Sequence, residues 1–305
     1  MAYEIKQIKL EKPRKVVYAI TDALGITERA SKRLVDKGRV KCNGTTVERK
    51  GEIVDGTLEV LFYEPTPIID VEVVFEHEDF AIFDKPPFML VHPNGFNTKT
   101  SLLDNIKNLY GLSANIVHRL DYETSGLVIA SKNKKSEAVL KTMFENRQVK
   151  KQYIALLQGS LNKTIEIRTF IEKQNINGEI KIKQNSSNEG KEAVSIFEPM
   201  EKIEKLSATL VKVSPLTGRL HQIRLHSAHI GMPIFGEPIY GNTICTAGKY
   251  LDKKLSKEER LEQTKANRIC LQAERLEFNY LGESIVATSK LNAKSDFLKA
   301  VRGEE

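Results

Sequence analysis

The sequence predicts an α+β protein in two parts, a small basic module followed by a larger domain in which helices flank a central sheet. Three observations carry that reading. Two amphipathic helical stretches and a hairpin fill residues 13–65. Pro65 and Pro67 stiffen a short connection over Tyr63–Pro67. From residue 68 to about 303, strand-length apolar runs recur with helical stretches between them. At 305 residues with 40% apolar side chains, the chain is long enough for one large domain and a small one.

In the small module, Val16, Val17, Ile20, Ala23 and Leu24 recur at helical spacing, and Gly25 is placed to stop that helix. Thr27 then caps a second helix, in which Ala30, Leu34 and Val35 make an apolar stripe while Arg29, Lys32, Arg33 and Lys37 line the other side. One face packs and the other is a basic ridge. Gly38 ends the helix. Arg39–Cys42, the pair Asn43-Gly44 and Thr45–Val47 read as a hairpin on a tight turn, with Leu58–Phe62 as a further strand. Net charge is +7, and residues 1–50 hold 13 Lys and Arg against 6 Asp and Glu, whereas the rest of the chain holds 34 of each. Positive charge gathered in the first sixth of a chain points to a polyanion, nucleic acid first, as partner. A basic face that serves only solubility is the plain alternative.

In the larger domain, Val71–Phe75 and Phe80–Phe83 read as paired strands, and Asp84-Lys85-Pro86-Pro87 as the break after them. Arg119 and Asp121 bracket an apolar Leu120, and Thr124-Ser125-Gly126 turns the chain into the apolar run Leu127–Ala130. That arrangement offers a carboxylate on a loop feeding a buried strand. Glu137–Asn146 is an amphipathic helix with Val139, Leu140, Met143 and Phe144 on one side, and Ile154–Leu157 and Ser207–Pro215 are strands. Residues 160–200 read as β-ribbon with turns at Asn175–Gly178 and Gln184–Gly190. Lys249–Arg268 is dense in charge and reads as an insertion, with Ser256-Lys257-Glu258-Glu259 a capping box that opens a short surface helix.

Several classes are disfavoured. Cys42, Cys245 and Cys270 lie far apart without a Cys-x-x-Cys pair, which argues against a disulfide framework or a zinc ribbon and fits a reducing compartment. Met1–Leu10 lacks the apolar stretch of a secretory signal, and no run approaches the roughly 18 apolar residues of a membrane span, so a cytoplasmic protein is expected. There is no Gly-x-Gly-x-x-Gly turn and no phosphate-binding loop. His221, His226 and His229 invite a zinc reading, but their spacing departs from His-Glu-x-x-His and no fourth ligand stands near, so structural histidines are the better reading. Neither cofactor nor metal is expected.

The phrase His118-Arg119-Leu120-Asp121-Tyr122-Glu123-Thr124-Ser125-Gly126-Leu127 fills every specified position of the pattern His-Arg-Leu-Asp-x-x-Thr-Ser-Gly-Leu, and so resembles the catalytic segment of the RluA-type pseudouridine synthases. Three further segments share the resemblance. Asp84-Lys85-Pro86 with Val91-His92-Pro93 is similar to that family's entry strand, with Asp84 for Asn, and leaves Lys85 and His92 open between structural and substrate-contacting roles. Lys151-Gln152-Tyr153-Ile154-Ala155-Leu156 resembles its Lys-x-Tyr-x-Ala-Leu strand. Thr217 to His226 resembles Thr-Gly-Arg-Thr-His-Gln-Ile-Arg-x-His, with Leu220 in place of the second Thr and its hydroxyl lost. Gly231 to Gly241 follows the family with Glu237 for Asp. The closing strand, Arg268–Phe278, departs more, with Gln272 for His. The small module resembles the S4 RNA-binding domain through Gly38-Arg39-Val40-Lys41-Cys42-Asn43-Gly44, and departs from it at Asp55-Gly56-Thr57.

The resemblance implies a pseudouridine synthase fold with a mixed, mainly antiparallel central sheet, and an isomerase acting on RNA without cofactor or metal. By it, Asp121 is the catalytic residue, either attacking the ribose at C1′ or abstracting its 2′ proton, and Tyr153 lies against the target base. Arg224 is the candidate partner that keeps Asp121 ionised, Arg219 serves the same end or grips phosphate, and Arg119 or His118 contacts phosphate. Arg29, Lys32, Arg33 and Lys37 bind RNA. Large-subunit ribosomal RNA is the implied target with transfer RNA as runner-up, and neither a membrane nor an obligate protein partner is implied. A non-catalytic RNA-binding or ribosome-assembly protein is the main rival. A hydrolase pairing Asp121 with a second carboxylate is weaker, since no second acid recurs in a comparable setting.

Overall fold

The computed structural model describes residues 3–63, 70–93, 100–174, 183–186 and 190–304. It divides into two compact units, residues 1–69 with 92–109, and residues 70–91 with 110–305. This division groups residues 92–109 with the first unit, whereas the sequence reading carried them in the larger domain. No helix among the described residues is long and apolar enough to cross a membrane.

In the first unit, β1 (Tyr3–Lys9), β2 (Arg14–Lys15), α1 (Val16–Leu24), α2 (Glu28–Asp36), β3 (Val40–Cys42), β4 (Thr45–Thr46), β5 (Ile53–Val54) and β6 (Thr57–Tyr63) follow in order. The strands form an antiparallel sheet in the order β1-β6-β3-β4, and β2 pairs separately with β5. Gly25 ends α1 at φ +61°, and Thr27 caps α2 by accepting the Ala30 N–H. The β3–β4 turn runs through Asn43 (φ 49°) and Gly44 (φ 82°), the paired left-handed residues that a two-residue hairpin needs. Asn43 also bridges Asp55 and Thr57, bonding the carbonyl of one and the N–H of the other, so the altered Asp55-Gly56-Thr57 segment keeps a defined turn. Val16, Ile20, Leu34, Val35, Val40, Leu58 and Val60 give the unit its own core. Strand β1 was not anticipated: its apolar residues become a strand signal only once β6 lies alongside.

The second unit holds β7 (Val73–Glu76) and β8 (Phe80–Lys85). Helix α3 (Leu102–Tyr110), most of it grouped with the first unit, precedes β9 (Asn115–Ile116), β10 (Ser125–Ser131), α4 (Lys134–Glu145) and β11 (Lys150–Gln158). Then come β12 (Ile165–Gln174), β13 (Lys183–Ser186), β14 (Lys191–Ile203), β15 (Ala208–Pro215), α5 (Gln222–His229), α6 (Ile244–Leu251), α7 (Lys257–Thr264), β16 (Leu271–Tyr280), β17 (Glu283–Thr288) and α8 (Ala293–Arg302). The strands make one sheet in the order β13-β12-β14-β15-β11-β16-β10-β8-β7, with β17 on β16 and β9 on β10. Among the described residues, only β10 and β16 pair in parallel. The sheet is therefore mixed and mainly antiparallel.

Strands β8 and β10 are buried along their whole length, as central strands covered on both faces must be. Strand β8 continues through Lys85, so Asp84 and Lys85 extend the sheet where a break was expected, their backbones pairing with Leu127 and Gly126. Strand β13 occupies part of the expected Gln184–Gly190 turn, and the expected Asn175–Gly178 turn lies outside the described residues. Gly126, at φ +103°, brings β10 against β16 so closely that a Cβ there would sit 2.1 Å from the Ala273 carbonyl oxygen. No other residue permits that approach.

Candidate active site

The loop from Val117 to Thr124 alternates its anchors. Val117 and Leu120 are buried, Arg119 is exposed, and the Thr124 N–H bonds the Asp121 carbonyl at 3.2 Å. That turn leaves the Asp121 side chain 27% exposed at the mouth of the sheet, reachable by a solute.

Arg224, on the first turn of α5 and almost fully buried, donates from Nη1 to Asp121 Oδ2 at 2.9 Å. Its Nε and Nη2 fork onto the two oxygens of Glu237 at 2.6 and 3.0 Å. Glu237 accepts the N–H groups of Ile239 and Tyr240 as well, and the Tyr240 ring lies 5.4 Å from the guanidinium. The fork fixes the guanidinium plane and leaves one edge for Asp121. Burial alone would raise the Asp121 carboxyl, but the Arg224 guanidinium beside it prevails and holds it below the usual carboxylate range. Glu237 is likewise held low against its burial by Arg224 and by the two backbone N–H groups.

His221 stands in a left-handed conformation, φ 54°, just ahead of α5. Its Nε2 lies 3.6 Å from Asp121 Oδ1, and Nδ1 lies 3.0 Å from the Tyr240 hydroxyl. Burial and the nearby Arg224 charge bring its pKa down to about 4, so the ring is neutral at pH 7. The lost Leu220 hydroxyl does not loosen this loop: Thr217 and Gln222 bond each other at 2.7 Å and both bond Val194 of β14, while Leu220 points to solvent.

Tyr153 enters from β11 at the point where the β11–β16 register slips between Gln152 and Tyr153. Such a slip re-aims a side chain. Burial and the Asp121 charge push its phenol pKa up, so it is protonated. Lys85, fully buried at the end of β8, donates to the carbonyls of Pro86 at 2.9 Å and Tyr122 at 3.3 Å. Burial lowers its pKa to about 7, against the pull of Asp121.

A second buried ion pair lies two residues from Asp121. Glu123 takes Arg260 of α7 in a fork at 2.8 and 2.5 Å, together with the Tyr250 hydroxyl from α6 at 2.8 Å and the Ile269 N–H at 2.9 Å. Arg260 also donates to the Gly236 carbonyl, one residue from Glu237. The charged stretch read as an insertion thus ties down the loops carrying Asp121 and Glu237. Its capping box appears as expected, with Ser256 and Glu259 reciprocally bonded.

The model of the RNA pseudouridylate synthase family matches residues 79–229 of this chain. A Helicobacter pylori (strain J99) protein described as an uncharacterized RNA pseudouridine synthase is 37% identical over 283 residues, 92% of this chain and 94% of that one. The chain belongs to the RNA pseudouridine synthase family. Its activity is the isomerisation of uridine in RNA. Ribosomal large subunit pseudouridine synthase D of Pseudomonas aeruginosa is 30% identical over 221 residues, 68% of this chain and 67% of that one. In fold, the chain matches the solved structure of human RNA pseudouridylate synthase domain containing 1 with a TM-score of 0.57 at 19% identity, over 78% of this chain and 97% of that one.

Other residues of the synthase fall differently from expectation. His118 turns inward: its Nε2 accepts the Ile129 N–H at 3.1 Å, its ring stacks on Phe144 at 4.4 Å, and burial lowers its pKa to about 3. The phosphate contact expected of His118 thus stands beside a structural role that the motif did not suggest, a neutral ring anchoring its loop to the scaffold. Arg219 is not a second partner of Asp121. Its Nε donates to the Glu192 carbonyl on β14 at 3.0 Å. His226 meets Thr169 at 3.0 Å and His221 meets Asp121, so these histidines serve separate places. In the first unit, Arg29 and Arg33 of α2 line a cavity of about 230 Å³ with Arg39, Ile26, Leu34 and Phe62, whereas Lys32 pairs with Glu28 on its own helix and Lys37 is an exposed C-cap. Glu237, His221, Glu123 and Arg260 were missed as site residues. Glu237 and His221 occupy specified positions of matched segments, Glu123 an unspecified one, and Arg260 lies outside every matched segment.

Proposed function

We propose that Asp121 is the reacting carboxylate of this synthase, that Arg224 holds it ionised and aimed, and that Tyr153 packs against the uracil. The observation that carries this reading is the 2.9 Å contact between Arg224 and an Asp121 side chain that keeps 27% of its surface open. Isomerisation breaks the N1–C1′ bond, turns the uracil and rejoins it through C5, releasing the C5 proton as N1 gains one. A carboxylate kept charged serves either as nucleophile at C1′ or as base toward the 2′ proton. The protonated Tyr153 offers a ring face and a donor hydroxyl rather than a base. Because a stacked base cannot reach the carboxylate, the uridine leaves its stack at a cost of about a few kcal/mol.

The first unit acts in this reading as an S4-like RNA-binding domain, with Arg29 and Arg33 on phosphates. The RNA is large-subunit ribosomal RNA in the cytoplasm, a target supported by the name of the Pseudomonas relative and by the basic first unit. Replacing Asp121 with Asn and measuring tritium release from C5-labelled uridine in RNA tests the site: the variant is inactive, and retained turnover would falsify the assignment. Mapping the pseudouridines lost when the gene is deleted tests the target, with loss from transfer RNA alone removing the ribosomal reading.

A further inference from the structure

Two aromatic side chains stand half exposed, Tyr122 at 47% on the Asp121 loop and Phe88 at 45% against it. Phe88 lies in the turn after β8, and Tyr122 is the residue next to Asp121. Their rings meet edge to face, centroids 5.9 Å apart at 68°, so each braces the other. Both segments hang from one buried group, since Lys85 donates to the Pro86 and Tyr122 carbonyls.

The backbone at Phe88 is more telling. Its φ is +61°, a left-handed conformation that glycine adopts freely and a bulky L residue adopts only under strain. Burial does not repay that strain, because almost half the side chain faces solvent. Strain retained at an exposed aromatic packed on the residue after the proposed reacting carboxylate points to a ligand for the ring. In an enzyme acting on RNA, the ligand suited to an open aromatic face is an unpaired nucleobase, which any ring accepts by stacking.

We propose that Phe88 and Tyr122 form a stacking subsite for an unpaired nucleobase adjoining the target uridine. The subsite rests on the reading of Asp121 as the reacting carboxylate, which brings the everted uridine to this loop. Pulling a uridine from its stack strips a neighbouring base of one face, and an aromatic ring one residue from Asp121 replaces the lost contact. Arg119, exposed on the same loop, supplies positive charge for the adjoining phosphates.

The chain contains no tryptophan, so Tyr122→Trp introduces a single fluorophore at the subsite. Its emission is quenched by a short single-stranded oligouridylate and scarcely altered by a fully paired RNA duplex; no quenching, or equal quenching by both, overturns the proposal. Phe88→Gly removes the strained side chain, so it keeps or raises the Tm while raising KM for C5-labelled RNA roughly 5- to 100-fold, with kcat largely retained. Tyr122→Leu does the same to KM, and Tyr122→Phe, which keeps the ring, restores it. Unchanged KM in the glycine and leucine variants sinks the subsite, as does a fall in kcat alone. Asp121→Asn in the same tritium-release assay separates the failures, because an inactive Asp121→Asn beside unchanged KM in the aromatic variants refutes the subsite and spares the carboxylate.

Discussion

Replacing Arg260 with Leu removes a guanidinium that sits far from the proposed reacting carboxylate in sequence and close to its loop in space. Arg260 and Glu123 are buried to 11% and 3% side-chain exposure, so solvent does little to soften the loss. Taking one partner from a buried ion pair costs about 3–5 kcal/mol, because the remaining charge is stranded. Here Glu123 keeps the Tyr250 hydroxyl and the Ile269 N–H, which sets the expectation at the lower end, about 3 kcal/mol. At roughly 2 °C per kcal/mol for a chain of this size, the Tm falls by about 6 °C. The same change frees the turn two residues after Asp121 and the Gly236 carbonyl next to Glu237, and a displacement of about 1 Å at a reacting group costs on the order of 100-fold in rate. Turnover measured well below the Tm therefore drops by one to two orders of magnitude on the same estimate. Adding Glu123→Gln removes the stranded charge and returns part of the stability, giving a coupling above about 1 kcal/mol in a double-mutant cycle. A coupling under about 0.5 kcal/mol, the value of an exposed pair, refutes the reasoning.

Two further outcomes follow from the charges. Lys85 binds its proton less tightly folded, with a pKa of about 7, than unfolded, near 10.5. Between those values the unfolded chain holds the extra proton, so stability rises with pH across that window. Lys85→Met is therefore most favourable relative to the parent below pH 7 and loses that advantage toward pH 10.5; a Tm difference that stays flat with pH refutes the assignment. In the first unit, Arg29→Ala or Arg33→Ala lowers the salt slope of RNA binding by about 1 each in filter-binding titrations, whereas Lys32→Ala, already paired with Glu28, lowers it less. Equal effects from all three would undo the distinction.

What could be read from the sequence follows from the range of the interactions involved. The α1 stop at Gly25, the Thr27 cap, the Asn43-Gly44 turn and the Ser256 capping box are legible because each is settled within about four residues by backbone geometry. Asp121 and Arg224 stood out through motif resemblance, and their 2.9 Å contact spans 103 positions that local pattern cannot bridge. Glu123 with Arg260 spans 137 positions and had no such help. Its partner lies in a charge-dense helix whose composition is that of any solvated surface, and only the tertiary fold turns one of those arginines inward. His118 shows the converse. Its place in the motif suggested contact with substrate, and the structure adds a task that pattern alone does not carry, locking the loop to β10 while Asp121 faces outward three residues later. Within one short phrase, then, the side chains that hold the loop and the carboxylate proposed to react are different residues, and alternation of burial, rather than identity, separates them: Val117 and Leu120 go in, Arg119 and Asp121 stay reachable, and Glu123 goes in again to meet Arg260.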